Sequence, residues 1–430
     1  MSVLRHPICL TTCFLLVMLF CGCSSHKKVE EPVMTSINII DRNGFSETTS
    51  NPERLKQYKC VDFLKDQPYQ KVLRIYSRDQ EGNIRAYITS YHPNGHPRQY
   101  LEVVNNRAYG AYREWYSNGV QKLETFIIGG DADINTAAEQ SWLFEGCSEA
   151  WDEDGHMIAQ IQYANGVIEG MSIYYHANGA PWKRIPFHQG QMHGISEIYL
   201  ENGSLLQTTE FYNGQKNGTA KRFWDNGKIA SDELYCQGNL TTGRYYNLCG
   251  TLAGSVDNGT GYRVLFGKES LSEMHEYRQG VQEGEVKIFA ADGVLARLYH
   301  VKNDLKHGAE IEYYPPKGSN GVLVPKISIN WVEGRIQGIT KTCYPTGIQE
   351  SQREMNNNQK NGLLTAWYKD GSVMLIEDYD HDKLVKGEYY LRGEKLPISE
   401  IKNGKGTATI FDGDGNILRK VPYLNGKPNL

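Results

Sequence analysis

The chain has 430 residues, with 46 Lys and Arg against 50 Asp and Glu, a formal net charge of -4, 40% hydrophobic residues and 22% charged ones. This near-balance removes the electrostatic ground for expecting nucleic acid as the main partner. The 44 Gly and 28 Tyr point to many turns and short strands.

The first segment is an address. Behind Arg5, the apolar run from Ile8 to Phe20 is too short for a comfortable membrane span and reads as a secretion signal. It ends in Leu19-Phe20-Cys21-Gly22-Cys23-Ser24-Ser25, which resembles a bacterial lipobox with Cys23 as the acylated residue. Residues 1–22 are therefore expected to be a lipoprotein signal peptide. Ser24 after the lipidated Cys implies, by the sorting rules for such proteins, an outer-membrane anchor on the periplasmic or cell-surface side. The polar stretch 23–57, with Pro32 and Pro52, suits a flexible tether, and 58–90 a cap with the first strands. Beyond the signal, Cys60, Cys147, Cys236, Cys249 and Cys343 are odd in number and widely spread, which argues against both a disulfide framework and a zinc site. Cys236 and Cys249 are the one close pair, and single thiols are the expected state.

From about Tyr91 onward a block of roughly 24 residues recurs. A Gly is followed by an aromatic at the fifth step and another Gly at the ninth: Gly110-Trp115-Gly119, Gly170-Tyr175-Gly179, Gly194-Tyr199-Gly203, Gly218-Phe223-Gly227, Gly284-Phe289-Gly293, Gly362-Trp367-Gly371 and Gly406-Phe411-Gly415. In the second half an apolar or aromatic residue precedes a turn residue by three steps, as in Phe187 with Gly190 and Tyr235 with Gly238. The repeats are placed at 91–247, with an insert at 130–145 that has room for a short helix, and at 268–430, with an irregular break at 248–267.

Pairs such as Asn118-Gly119, Asn178-Gly179 and Asp292-Gly293 accept positive backbone angles and are expected to form two-residue hairpin turns. The fold class is accordingly all-β: an elongated, single-layer antiparallel meander of hairpin repeats, twisted or curved. The recurring aromatics Trp115, Tyr175, Tyr199, Phe223, Phe289, Trp367 and Phe411 are read as a packing ladder. Tyr116, Tyr174, Trp224 and Tyr368, beside polar neighbours, are the candidate interaction face.

The segments Tyr174-Tyr175-His176-Ala177-Asn178-Gly179, Phe223-Trp224-Asp225-Asn226-Gly227 and Trp367-Tyr368-Lys369-Asp370-Gly371, each spaced from a second turn such as Tyr212-Asn213-Gly214, resemble the MORN-repeat variant found in bacterial proteins of the YwqK antitoxin family. The resemblance covers most of residues 87–430. It implies a single-layer sheet that presents aromatic and polar rows to proteins, and in some cases to lipid.

A search for chemistry finds neither a phosphate loop nor a His-Glu-x-x-His or Gly-x-Ser-x-Gly motif. No catalytic residue, metal ligand or cofactor is assigned, and the chain is read as a non-enzyme. Asp412-Gly413-Asp414 and Asp152-Glu153-Asp154 have the look of calcium loops but fall on hairpin turns. The expected function is a protein–protein interaction scaffold held to the membrane by its N-terminal lipid, with an envelope or surface protein as partner and no nucleic acid. The alternatives are a cell-wall or glycan-binding module, an antitoxin or immunity-type protein, or a hydrolase whose site would lie in the 131–145 or 248–267 irregularities.

Overall fold

A computed structural model of the chain describes residues 33–67, 70–268, 270–316 and 321–429. The signal segment and Cys23 lie outside them. Among the described residues, 36 strands form one long antiparallel sheet that does not close, most strands pairing with their neighbours in the sequence. The expected all-β hairpin meander is present.

Two boundaries differ from the sequence reading. Val33–Asp41, placed in the tether, is a strand paired with Gln70–Arg78 on one side and Ser46–Thr49 on the other. Its run Ile37-Asn38-Ile39-Ile40 is strand-forming, but the polarity averaged over 23–57 hides it. A short helix, Pro52–Leu55, caps this end, and Ile37, Leu55, Leu73 and Tyr91 form its core. The supposed break at 248–267 holds two ordinary strands, Leu252–Asp257 and Thr260–Phe266, in the same sheet. The block there is merely shortened, so the periodicity loses its phase while the meander continues. The insert carries the short helix Thr136–Glu139, capped by Asn135.

Turn chemistry is also divided differently. In Asn118-Gly119 only the glycine has positive φ, 85°. The Gly119 N–H donates to Tyr116 O and the Tyr116 N–H to Val120 O, which makes a three-residue loop with a left-handed Gly. The asparagine contributes its side chain, Oδ1 accepting from the Val120 N–H at 3.0 Å. True two-residue turns, with both residues at positive φ, lie along the opposite edge at Asn165-Gly166, Gln189-Gly190, Asn213-Gly214 and Gln279-Gly280. Asn-Gly occurs at both edges, so the dipeptide alone cannot distinguish them.

The first Gly of a block has positive φ, and at several blocks a side chain there would also collide with a neighbour. At Gly218 φ is 107°, and a Cβ would lie 1.9 Å from the Glu210 carboxylate, which folds over the glycine to accept the Thr219 N–H. Across the ladder a large side chain covers the gap: Tyr235 faces Gly218, Phe211 faces Gly194 and Tyr379 faces Gly362. This pairing is the physical basis of the second-half rule seen in the sequence.

A sheet this long curls. Twice it does so by the same route. Around Glu233, a ring of three backbone bonds ties successive turns: Leu240 N–H to Gly280 O, Gly280 N–H to Gly259 O and Gly259 N–H to Thr241 O. Around Glu377 the ring recurs as Leu384 to Gly426, Gly426 to Gly404 and Gly404 to Val385. The cross-strand register matches as well: Ala220 faces Glu233 and Glu233 faces Gly243, as Leu364 faces Glu377 and Glu377 faces Gly387. In the first junction Phe266 reaches back to Trp224, with ring centroids 5.0 Å apart; in the second Phe411 reaches Tyr368 at 5.9 Å. Each junction builds one of the larger buried clusters, and the stretches between them are a half-buried single layer.

Candidate functional site

Within Gln215–Phe223, alternation sends Ala220 and Arg222 to the face that the junctions curl around, and Thr219, Lys221 and Phe223 to the other. These two faces, here the inner and the outer, are the surfaces available for function.

The expected packing ladder is displaced by one residue. Trp115, Tyr175, Tyr199, Phe223, Phe289 and Trp367 are half-buried on the outer face, and only Phe411, at the second junction, is buried. Among the described residues, Phe411 is the one member of the seven with another aromatic ring packed edge-on against it. The inter-repeat staple is the following residue. Trp224 Nε1–H donates to Tyr246 O at 3.1 Å, Tyr368 O–H to Tyr390 O at 2.6 Å, Tyr344 O–H to Trp367 O at 2.8 Å and Tyr116 O–H to Trp151 O at 2.9 Å. His92 and His176 place Nε2 against the equivalent carbonyls. An aromatic with a polar tip fits because it must be apolar along its body and hydrogen-bonding at its end. Trp224 and Tyr368, 5% and 0% exposed, are therefore not a display surface. Tyr116 and Tyr174 remain half-exposed.

What the outer face does display is an apolar row that sequence reasoning missed. Met171, Ile195, Ile339 and Leu363 each follow the first Gly of a block, and all are exposed, Ile195 at 54%. Their constant position after a glycine was the available signal. Beside them run the half-buried Tyr175, Tyr199 and Trp367.

On the inner face the first junction holds the densest buried charge. Glu233 accepts from Tyr235 and Tyr245 hydroxyls, both at 2.9 Å, and from Arg263 Nε at 2.7 Å. Burial alone would raise the Glu233 carboxyl; the Arg263 guanidinium and these hydrogen bonds outweigh it and hold the group below its ordinary value. At the N-terminal end a wider cleft of about 620 Å³ opens beside the insert helix, lined by Gln99, Glu114, Trp115, Tyr116, Asn135 and Glu139 among others.

Asp152, Asp154 and His156 bring ligand-type atoms within 4.8 Å of one another and could hold a cation. Asp152 Oδ1 already accepts the Asp154 and His156 N–H groups of the hairpin, which lowers its carboxyl. Cys60, Cys147, Cys236, Cys249 and Cys343 are free thiols. No helix among the described residues is long and apolar enough to cross a membrane.

No curated protein matches the chain. Residues 216–237, the hairpin formed by Gln215–Phe223 and Ile229–Cys236, match the family model described as the MORN repeat variant, so at least this block of the ribbon is a MORN-type repeat.

Proposed function

We propose that the protein is a non-catalytic scaffold that binds another protein along the outer face of its sheet, and that a lipid on Cys23 holds it to the outer membrane. The observation that carries this reading is the two pairs Met171 with Ile195 and Ile339 with Leu363, apolar side chains left in solvent in adjacent blocks beside half-buried aromatics, with Thr219, Glu285 and Ala309 in the same place in the blocks between. Pairs of that kind suit an extended polypeptide laid across the strands. Their position on rigid strands keeps the spacing fixed. A role as an immunity protein against an envelope-acting toxin is one form the same scaffold could take.

The test is a photo-crosslinking amino acid placed in turn at Ile195, at Leu363 and at the inner-face Thr340, in cells. A discrete adduct from the two outer positions and none from Thr340 supports the reading; equal labelling from all three, or none, removes it. Metabolic labelling with an alkyne fatty acid, lost on Cys23→Ser, tests the anchor.

A glycan reading draws on the wide cleft, where Gln99, Glu114, Asn135 and Glu139 converge beside Tyr116. Retention of the protein on peptidoglycan, abolished by Glu139→Ala, would favour it over the protein scaffold.

A further inference from the structure

The two junctions share backbone path, register and turn ring, yet the first carries two guanidinium groups, Arg222 and Arg263, where the second carries alanines. Arg222, Ser231 and Arg263 of the first occupy the places of Ala366, Leu375 and Ala408 in the second. Lys216 corresponds to Lys360, and each ammonium lies over a ring, of Tyr235 at 4.8 Å and Tyr379 at 4.3 Å. Arg353 stands where the first junction has Thr209, on the strand before.

The inner face of the first junction holds a cleft of about 90 Å³, several times the room one water needs. Lys216, Arg222, Arg263, Gln207, Thr209 and Ser231 line it. Its anion, Glu233, is 5% exposed and is committed to Arg263 and two tyrosines. Arg222 spends one Nη on Phe266 O at 3.1 Å, and among the described residues neither Arg222 nor Lys216 has a carboxylate within ion-pair distance. Burial, and next the nearby Arg263, lower the Lys216 ammonium, and the charge of Glu233 offsets them only in part.

Partly burying Arg222, a cation that Ala366 shows the fold can do without, beside Lys216 and Arg263 is unfavourable unless something compensates it. We propose that the cleft is a receptor for one small oxyanion, a carboxylate or a phosphate group, held by Arg222 and Lys216 with the Ser231 and Thr209 hydroxyls and the Gln207 amide as further polar contacts. A guanidinium fork beside an ammonium matches the paired oxygens of either group. This inference concerns the inner face and does not rest on the scaffold reading of the outer one.

The experiment uses the purified full-length protein labelled with ¹⁵N-arginine and titrates sodium acetate, and separately sodium phosphate, at constant ionic strength and pH 7. The expected result is saturable movement of the Arg222 and Arg263 Nε–H signals, with the tighter of the two anions identifying the ligand as carboxylate-like or phosphate-like. Arg222→Ala, the residue that the second junction already carries in that place, should weaken saturation at the Arg263 signal about tenfold, the loss of roughly one charge-assisted hydrogen bond. Lys360→Met, in the second junction, should leave it unchanged. Shifts that stay linear for both anions, or a midpoint unmoved by Arg222→Ala while the other arginine signals keep their positions, would overturn the proposal.

Discussion

The junction around Glu233 and the junction around Glu377 are one backbone solution filled in two ways. In the second, Leu364, Ala366, Leu375 and Ala408 surround a carboxylate whose donors are the hydroxyls of Tyr379 at 2.9 Å and Tyr389 at 2.7 Å. The first keeps the same carboxylate and the same two tyrosines but adds Arg263, Arg222 and Ser231. Two tyrosine hydroxyls therefore suffice to satisfy the buried glutamate, and the curl itself is set by elements common to both: the turn ring, the glycines within it and the aromatic pair that closes it.

The glycines of the ring are the place where the comparison can be broken most severely. At Gly404 φ is 72° and an added Cβ would stand 2.5 Å from Gly426 N; Gly259 has the same clash with Gly280 N. Gly404→Ala and Gly259→Ala should each cost about 3 kcal/mol or more, since strain adds to a backbone collision. Gly214→Ala, in a regular turn with nothing within 4 Å of the new Cβ, should cost only about 1–2 kcal/mol for its left-handed backbone. Hydrogen exchange read separately over 229–280, 373–426 and 190–223 resolves the three, which a global melt of a repeat protein would blur. Equal losses at all three sites would mean that the ring is not what holds the junctions.

Arg263→Ala sharpens the contrast between them. It leaves Glu233 with the two tyrosines that Glu377 has, but in a cleft without the apolar filling, and should cost about 3 kcal/mol at neutral pH. The sign with pH follows from the lowered folded value of Glu233. Its contribution is present above the unfolded carboxyl value of about 4.3 and is lost as pH falls through the lower folded value. The gap between wild type and variant, followed by exchange over 229–266, should therefore narrow on acidification; a gap constant from pH 7 to pH 3 would show that Arg263 acts through packing alone.

Tyr368→Phe comes next. It removes the hydroxyl of a fully buried side chain and leaves the part-buried Tyr390 carbonyl without that donor, for about 1–2 kcal/mol, whereas Tyr116→Phe, half-exposed, should lose under about 1 kcal/mol. Hydrogen exchange read over 364–390 and 112–151 in the two single variants separates these values, and identical losses would show that burial does not set the strength of the staple.

How much of this is legible in the sequence depends on the range of the interaction. Hairpins, their spacing and the open meander follow from turn signals that act within a few residues, as at Asn178-Gly179 and Asn213-Gly214, and these are readable. The staple of Trp224 to Tyr246 O spans 22 residues, and nothing local distinguishes its role from that of Phe223 next to it, so the sequence reading assigns the two adjacent aromatics in reverse. Arg263 reaches Glu233 across 30 residues, and only the curl of the sheet brings them together. The apolar row at Met171 and Ile195 is in plain view, but a glycine-centred alignment draws attention to the fifth position and away from the first.

The gentlest substitution decides which face is interior. Leu363 and Leu364 are neighbours on the strand Gln359–Trp367, identical in type and opposite in direction. Leu363 is 52% exposed on the outer face, and Leu364 packs against the second junction's buried cluster. Leu364→Ser should cost about 2 kcal/mol, a partial core truncation. Leu363→Ser should stay within about 0.5 kcal/mol of wild type, because its side chain is already largely in water. Chemical denaturation of the two variants gives the order, and a display surface requires it: a leucine that contributes nothing to the fold where it stands, while its neighbour contributes fully, is one whose apolar character is left for something outside the chain. If Leu363→Ser proves as destabilising as Leu364→Ser, the outer row is part of the fold's own packing and the scaffold reading loses the observation that carries it.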